Sequence, residues 1–197
     1  MTRAAISTVI LAGGRGARMG GDKGLQLLRG RTLIDWVLSA LAAQSDEVLI
    51  SANGTMEQYA GFGVRVIADD LPDQAGPLAG LRTALAYARH TYVACVPCDT
   101  PFLPADLLSR LYAALEAQGM DAAVAVVEGR RQYAIALYRK EVLPALDVYL
   151  HGGQRKLGDW LDSLHVAEVR FTDASAFINV NTRAELARLD GISGAEV

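Results

Sequence analysis

The sequence predicts a three-layer α/β fold built on a doubly wound sheet. Through the first 120 residues, apolar runs of strand length alternate with segments whose apolar residues recur at helical spacing. One apolar run ends at Ala12 and is followed by a loop, 13–23, that interleaves glycines with two arginines and a lysine. Another run, at 92–96, is followed by Asp99. Because ligands of open α/β sheets bind beyond the carboxyl ends of the strands, these two ends are the first candidates for a site.

The alternation can be followed element by element in this first part of the chain. Thr32 is placed to cap one helix, and Gly119 is placed to close another. The predicted helices cover 33–41, 76–88 and 104–118, and the strands that follow the first cover 47–51, 64–67 and 92–96. This order of elements indicates βαβ winding.

The elements after residue 120 are less regular. The predicted strands cover 122–127, 134–138 and 166–171, with a turn at 128–130, a helix near Pro144 and an amphipathic run at 157–164. Within that run, Trp160 lies on the apolar face and is interpreted as a core residue. Thr182 and Glu185 have capping-box spacing at the start of a final helix. A length of 197 residues without a linker favours a single domain, 1–197.

Charge is unevenly distributed along the chain. The net charge is −3, yet residues 1–32 carry six cationic side chains against Asp22 alone, a balance of +5 that leaves −8 for the rest. General nucleic-acid binding needs a broad basic face, so this distribution argues against it and favours a small anionic ligand. A basic end that is merely solvated is the alternative. No run reaches the roughly 18 apolar residues of a membrane span, so we expect a cytoplasmic protein with no membrane partner.

The two cysteines, Cys95 and Cys98, form a C-x-x-C pair. Such a pair can be a redox centre or half of a zinc site. A structural zinc needs about four ligands, but the chain has no second cysteine pair and its three histidines are scattered singly. Cys95 also falls inside a predicted strand, whereas a redox pair lies at a helix N-terminus. The sequence favours neither role.

The loop at 13–23 has the composition of an anion site. Its five glycines remove the Cβ atoms that would keep a ligand from the backbone, while Arg18 and Lys23 offset negative charge. A Walker A motif is excluded because Lys23 follows Asp22 and precedes Gly24, and the glycine spacing also misses the dinucleotide fingerprint. A longer loop of this kind suits the wrapping of a triphosphate and the stabilisation of a departing pyrophosphate.

Asp99 follows the neighbouring strand of the predicted sheet. A carboxylate beside a phosphate loop would repel the ligand unless a divalent cation lay between them. Oxygen ligands of this type suit Mg²⁺, so Asp99 is the predicted metal ligand and Mg²⁺ the predicted cofactor. The alternative is that Asp99 only shapes a turn before Pro101.

Segment 11–23, Leu-Ala-Gly-Gly-Arg-Gly-Ala-Arg-Met-Gly-Gly-Asp-Lys, resembles the signature of nucleotidyltransferases that share a Rossmann-like fold of the nucleotide-diphospho-sugar transferase type. Three further segments are Gly-Pro-Leu-Ala-Gly at 76–80, Pro-Cys-Asp-Thr-Pro at 97–101 and Asn-Val-Asn-Thr at 179–182. Together, in this order, they resemble the molybdenum cofactor guanylyltransferases over about residues 6–189. The glycine loop alone is shared with sugar-phosphate, methylerythritol-phosphate and molybdopterin cytidylyltransferases, so the later segments decide between these groups.

The resemblance implies transfer of GMP from GTP to molybdenum-bound molybdopterin, which yields the guanine dinucleotide cofactor and pyrophosphate. It implies a nucleotide-binding part, 1–120, an acceptor-binding part, 121–197, and molybdoenzymes, their chaperones or other cofactor-biosynthesis proteins as further partners. Two alternatives stay open. One is a related transferase that uses CTP or a sugar 1-phosphate, and the other is a nucleotide-binding module without catalysis.

Site residues carried over by position fall into three sets. The nucleotide-binding set is Leu11, Ala12, Gly13, Gly14, Lys23, Asn53, Asp69, Gly80 and Asp99. The catalytic set is Lys23, Arg18 and Asp99, with Asp99 holding the metal, and the acceptor-binding set is Arg155, Lys156, Asn179 and Asn181. The family often has Asn-Ala-Asn where this chain has Ser51-Ala52-Asn53, and we expect Asn53 to supply the nucleoside contact, with Ser51 as the alternative. The alternatives are a solvated helix start for the two cations and a structural cap for the two asparagines.

Overall fold

The computed structural model describes residues 4–12, 22–53, 56–69 and 76–191. The strands are β1 (Ile6–Leu11), β2 (Leu27–Leu28), β3 (Arg31–Thr32), β4 (Glu47–Ser51), β5 (Arg65–Ile67), β6 (Tyr92–Pro97), β7 (Ala122–Val127), β8 (Arg130–Arg139) and β9 (Val166–Phe171). The helices are α1 (Leu33–Leu41), α2 (Met56–Ala60), α3 (Pro77–Tyr87), α4 (Leu107–Gln118), α5 (Leu143–His151), α6 (Leu157–Asp162) and α7 (Arg183–Gly191). Short 3-10 helices cover Lys23–Leu25, Lys140–Val142 and Ala174–Phe177.

The main sheet has the strand order β5-β4-β1-β6-β8-β7-β9 within the described ranges. β1 pairs in parallel with both β4 and β6, so the chain winds outward to β5 and then returns to the other side of β1. The predicted α/β class is confirmed. The strand order therefore reverses beside β1, which is the position where open α/β sheets bind their ligands.

The sheet is mixed because β8 runs antiparallel between β6 and β7, whereas β7 and β9 are parallel. The sequence predicted the returning strand but not its place next to β6. β8 also begins at Arg130, four residues earlier than predicted, because only Glu128 and Gly129 form the turn. Both have positive φ, 50° and 75°, the geometry of a tight two-residue hairpin.

Three layers are formed, as predicted. Apolar residues of α1, α2 and α4 pack on one face of the sheet, and those of α3, α5 and α6 pack on the other. The alternation of side chains along each strand supplies both faces, and in β1 Ile10 points to the first face and Val9 to the second. Trp160 is 1% exposed in the second layer, so its prediction as a core residue is confirmed. Among the described helices, none is long and apolar enough to cross a membrane.

Helix ends follow the predicted chemistry in two places and depart from it in a third. The Thr32 side chain accepts a hydrogen bond from the Asp35 backbone N–H at 3.3 Å, and Gly119 closes α4 in the left-handed region at φ 61°. α4 begins at Leu107 rather than at 104, because the residues after Pro104 form a turn before the helix. The sequence did not predict α2 or the β2–β3 hairpin.

The two cysteines lie in different core layers. Cys95 belongs to the layer under α3, and Cys98 to the layer under α4. Burial raises the pKa of the Cys95 thiol to about 12 and also raises that of Cys98. Both thiols are free and buried, and each packs within its core layer.

Candidate active site

The carboxyl ends of β1, β4 and β6 form the floor of the candidate site. Leu11 is in register with both Ser51 and Pro97. Beyond the strands, the backbone N–H of Ala12 donates to Ser51 O at 2.8 Å, and that of Cys98 donates to Leu11 O at 3.1 Å. The chain segments that leave these strands therefore start from fixed positions. Three predicted site residues of the glycine loop, Gly13, Gly14 and Arg18, lie outside the described residues.

Lys23 joins two segments that are far apart in the sequence. Its Nζ donates to a carboxylate oxygen of Asp99 and, at 2.5 Å, to Oδ1 of Asn181. These three residues come from three different predicted motifs, and the fold brings them together. The cationic group thus lies beside Asp99 at the end of β6, which is the arrangement expected of a phosphate-binding lysine next to a metal ligand.

Asp99 has the environment of a metal ligand. The residue is 7% exposed, its Oδ2 accepts from Lys23, and its Oδ1 is buried with no hydrogen-bond partner among the described residues. A buried carboxylate oxygen without a partner is costly unless it contacts a ligand, so this atom fits a divalent cation. The described part of the chain holds no cluster of three or more acidic, histidine or cysteine ligands. A single carboxylate such as Asp99 is compatible with Mg²⁺, which commonly takes one or two carboxylates and completes its shell with substrate phosphates and water.

A second cluster lies at the end of β4. Ser51 Oγ donates to Asp69 Oδ1 at 2.8 Å, and Asn53 Nδ2 donates to Asp69 Oδ2 at 2.8 Å. The Asn53 side-chain oxygen in turn accepts from the Asp69 backbone N–H at 3.0 Å. These two hydrogen bonds with Asn53 fix the position of Asp69. The remaining lone pairs of the Asp69 carboxylate can accept hydrogen bonds from a ligand. The sequence left open whether Ser51 or Asn53 contacts the nucleoside, and both side chains contact Asp69.

Gly80 lets α3 approach the ends of β1 and β4 closely. A Cβ atom at this position would lie 2.4 Å from Ser51 Oγ and 2.8 Å from Leu11 Cδ2. Any larger residue would therefore displace the side chain that holds Asp69. The predicted contact of Gly80 with a nucleotide stays a prediction, and the structure gives this glycine a packing role.

The segment 179–182 is fixed on both sides. Thr100 Oγ1, fully buried, donates to Asn179 Oδ1 at 2.6 Å, and the Val180 N–H donates to Asp99 O at 2.9 Å. On the other side, one Glu185 carboxylate oxygen accepts from the N–H groups of Asn181 and Thr182, at 2.7 and 2.9 Å.

The Glu185 N–H donates to Thr182 Oγ1 at 3.1 Å, which completes the predicted capping box. The hydrogen bond from the Asn181 N–H is the main cause that lowers the pKa of Glu185. The same cap also places Asn181 beside Lys23. Asn181 therefore takes part in the cap through its backbone N–H and contacts Lys23 through its side chain, while the acceptor-binding role of both asparagines stays a prediction.

The predicted acceptor-binding cations make local contacts. The Arg155 guanidinium donates to the carbonyl oxygens of Leu150 and Gln154, each at 2.7 Å, and so caps the end of α5. Lys156 is largely exposed, with its Nζ 3.6 Å from the Asp159 carboxylate. No hydrogen bond or ion pair within the described ranges links either residue to Lys23 or Asp99, so their acceptor role stays a prediction.

The sequence interpretation missed a buried polar group next to Lys23, the hydroxyl of Tyr59. The Tyr59 hydroxyl donates to Asp22 Oδ1, and the Gly24 N–H donates to the same oxygen at 3.1 Å. Tyr59 is fully buried, and its pKa is raised strongly by burial and then by the Asp22 carboxylate. A tyrosine on a five-residue helix carries no periodic signal, so only the fold reveals this contact.

Residues 8–168 match the family described as the MobA-like NTP transferase domain. The chain belongs to this family. Curated relatives agree with the assignment. A molybdenum cofactor guanylyltransferase of Cupriavidus pinatubonensis is 46% identical over 187 residues, which cover 92% of this chain and 94% of the relative. One of Burkholderia lata is 47% identical over 194 residues, 93% of this chain and 95% of the relative.

Two solved structures are also similar to this chain in their fold. Molybdopterin-guanine dinucleotide biosynthesis protein A of Archaeoglobus fulgidus superposes with a TM-score of 0.81 at 24% identity, covering 96% of this chain and all of that one. A 4-diphosphocytidyl-2C-methyl-D-erythritol synthase of Anaerococcus prevotii gives 0.73 at 14% identity, covering 97% and 99%. At such identities the likeness concerns the fold, and the predicted nucleotidyltransferase architecture is confirmed.

Proposed function

We propose that this protein transfers GMP from GTP to the terminal phosphate of molybdenum-bound molybdopterin, with release of pyrophosphate. The observation that carries the proposal is the meeting of Lys23, Asp99 and Asn181 at the ends of β1 and β6. These residues belong to separate segments that together resemble the guanylyltransferases. The high identity to relatives that bear the guanylyltransferase name supports the choice of nucleotide and acceptor.

The reaction needs no nucleophile from the protein. The acceptor is a phosphate monoester that is largely dianionic near neutral pH, and it attacks the α-phosphorus in line with the departing pyrophosphate. Negative charge then accumulates on the oxygen that bridges to the leaving group. The Lys23 ammonium group, next to Asp99, is the described cation placed to stabilise that charge.

Asp99 would hold the Mg²⁺ through its unpartnered Oδ1. When bound, this ion supplies charge neutralisation of the phosphates. The rest of the site keeps Asp99 in place, since its backbone oxygen accepts from Val180 N–H and its second carboxylate oxygen accepts from Lys23.

Guanine carries adjacent N–H donors, and a carboxylate accepts from both. Asp69 has this chemistry, and Ser51 and Asn53 hold it at the end of β4. We therefore propose that Asp69 selects the base and that Asn53 acts by holding Asp69. At the acceptor side, Asn181 contacts Lys23 and Asn179 contacts Thr100, the residue after Asp99, and these two asparagines are our candidates for the pterin end.

The test is an assay of pyrophosphate release with purified protein, Mg²⁺ and molybdopterin. We expect release with GTP, no comparable release with CTP, and a product whose mass equals that of the guanine dinucleotide. Preference for CTP would replace the proposal by the cytidylyltransferase alternative. Nucleotide binding without turnover of any nucleotide would favour the non-catalytic module.

A further inference from the structure

The one-turn helix Lys23–Leu25 carries the lysine of the proposed site. Asp22 is its N-cap, and the Tyr59 hydroxyl donates to the Asp22 carboxylate from the core. We propose that Tyr59 is a positioning residue for Lys23, acting through the carboxylate of Asp22. The proposal rests on the function proposed above, because it assigns to Lys23 a contact with the triphosphate. It adds a residue that neither touches the nucleotide nor lies in any of the segments 11–23, 76–80, 97–101 and 179–182.

The first step of the argument is the geometry of the short helix. Asp22 is its N-cap, and Asp22 Oδ1 accepts from the Gly24 N–H at 3.1 Å. The Asp22 backbone oxygen accepts from Gln26 Nε2 at 3.2 Å, and the Gln26 N–H donates to Lys23 O at 3.2 Å. A single turn has few hydrogen bonds of its own, so its cap decides where the backbone of Lys23 stands.

The second step concerns what fixes the cap. The Tyr59 ring is fully buried in the core layer that also contains Cys98, and its hydroxyl donates to the same Asp22 oxygen that caps the helix. A buried ring has few rotamers available, so the hydroxyl gives Asp22 an anchor in the core. Burial and the nearby carboxylate raise the pKa of Tyr59, which keeps the hydroxyl a donor over the whole range of an enzyme assay.

The third step is the tight fit around the hydroxyl. A Cβ atom on Gly24 would lie 2.4 Å from the Tyr59 hydroxyl oxygen. The turn that carries Lys23 therefore lies directly on the tyrosine, with no room for a side chain between them. Loss of the hydroxyl removes a charge-assisted hydrogen bond and opens space under the turn, and both effects loosen the position of Lys23.

A double-mutant cycle separates positioning from general stabilisation. It compares the wild type with Tyr59→Phe, Lys23→Ala and the double variant, using kcat and KM for GTP at saturating molybdopterin. Tyr59→Phe keeps the ring, so the fold is retained, which thermal unfolding checks. We expect kcat/KM to fall about tenfold in the wild-type background and by less than about twofold in the Lys23→Ala background, because the lysine is then absent.

The matched control is Tyr138→Phe. Tyr138 is also fully buried, but its hydroxyl has no hydrogen-bond partner among the described residues and lies in the other core layer. We expect this variant to retain wild-type kcat/KM. Equal losses from Tyr59→Phe in both backgrounds, or no loss in the wild-type background, would overturn the proposed role of Tyr59.

A binding measurement distinguishes failure of this inference from failure of the proposed function. The same four proteins are titrated calorimetrically with inorganic tripolyphosphate in the presence of Mg²⁺. If the wild type fails to turn over GTP, the proposed function fails, yet Tyr59→Phe should still weaken tripolyphosphate binding about tenfold only when Lys23 is present. Affinity that is equal in all four proteins, or no binding to the wild type, would overturn the role of Tyr59.

Discussion

The ammonium group of Lys23 donates to two acceptors that are far apart in the sequence. Asp99 follows β6, and Asn181 precedes α7. A lysine ammonium group has three donors, so one remains for a ligand phosphate when both contacts persist. Asp99 also keeps one buried oxygen free of described partners. The ammonium donor and the carboxylate oxygen without a described partner thus lie side by side, the arrangement that the proposed binding of a triphosphate with Mg²⁺ needs.

Asp99→Asn should abolish most turnover while the fold is kept. Asparagine has nearly the shape of aspartate, but it loses the charge that pairs with Lys23 and that would hold the proposed divalent cation. We expect kcat to fall at least about a hundredfold and the Mg²⁺ concentration for half-maximal rate to rise. Asp106→Asn is the control, since Asp106 is exposed and its ion pair among the described residues is with Arg110 at 3.5 Å. A variant with more than about a tenth of the wild-type rate would contradict the metal role of Asp99.

Tyr138→Phe should leave the protein as stable as before or make it more stable. The Tyr138 hydroxyl is buried with no partner among the described residues, and the ring packs against Trp160 at 5.4 Å between centroids. Removing a hydroxyl that makes no hydrogen bond ends a desolvation cost while the ring contacts persist, so we expect a gain of up to about 1 kcal/mol in the free energy of unfolding. Urea titration measures it. A loss above about 1 kcal/mol would mean that the hydroxyl has a partner.

The segment 179–182 contacts Lys23, and the helix α2 contacts the neighbouring Asp22. The sequence predicted the first of these and not the second. A helix cap after the segment 179–182 was predicted because Thr182 and Glu185 have capping-box spacing. The asparagines of the segment were placed in the site by the family resemblance. The contact of Tyr59 with Asp22 was not predicted, because it depends on α2, a helix too short for periodicity. Lys23 and Asp99 were predicted as neighbours because the ends of parallel strands meet at one edge of the sheet. Local motifs could thus be recognised in the sequence, whereas the core contact between Tyr59 and Asp22 could not.

The capping box at the start of α7 should affect both stability and catalysis. Glu185→Ala removes the oxygen that accepts from Asn181 and Thr182, so we expect a loss of about 0.5 kcal/mol in the free energy of unfolding and a lower kcat for GTP. Glu185→Gln, which keeps an acceptor, should restore part of both. Glu141→Ala, at an exposed position, serves as control. An unchanged kcat in Glu185→Ala would show that the cap does not position Asn181.

The same glutamate gives a defined pH dependence. The pKa of Glu185 is lowered in the folded protein, first by the hydrogen bond from Asn181 N–H. A lowered pKa means that the stabilisation is complete above the ordinary glutamate value of about 4.3 and is lost as the pH falls through the folded value. The difference in unfolding free energy between wild type and Glu185→Ala should therefore shrink toward acidic pH. Urea titrations at a series of pH values measure it, and a difference that grows on acidification would contradict the assignment.

The whole sheet depends on a strand from the second part of the sequence. β8 pairs with β6 along Val93↔Tyr138 and Cys95↔Ala136, which covers the edge that 1–120 alone would expose. The second part also supplies Asn181 to Lys23 and the N–H of Val180 to Asp99. The nucleotide-binding part predicted at 1–120 is therefore completed, in both its sheet and its site, by residues 121–197.

This dependence predicts how the chain behaves when it is divided. A fragment of residues 1–120 leaves β6 as an edge strand whose Val93, Ala94 and Cys95 are each fully buried in the intact protein. An edge of that kind is apolar and unpaired, so we expect the fragment to lack a cooperative thermal transition and to associate. The full chain should unfold in one transition that is the same by far-ultraviolet circular dichroism and by tryptophan fluorescence. Addition of the fragment 121–197 to 1–120 should restore part of the transition by supplying β8. Cooperative unfolding of 1–120 alone would contradict the dependence of the sheet on β8.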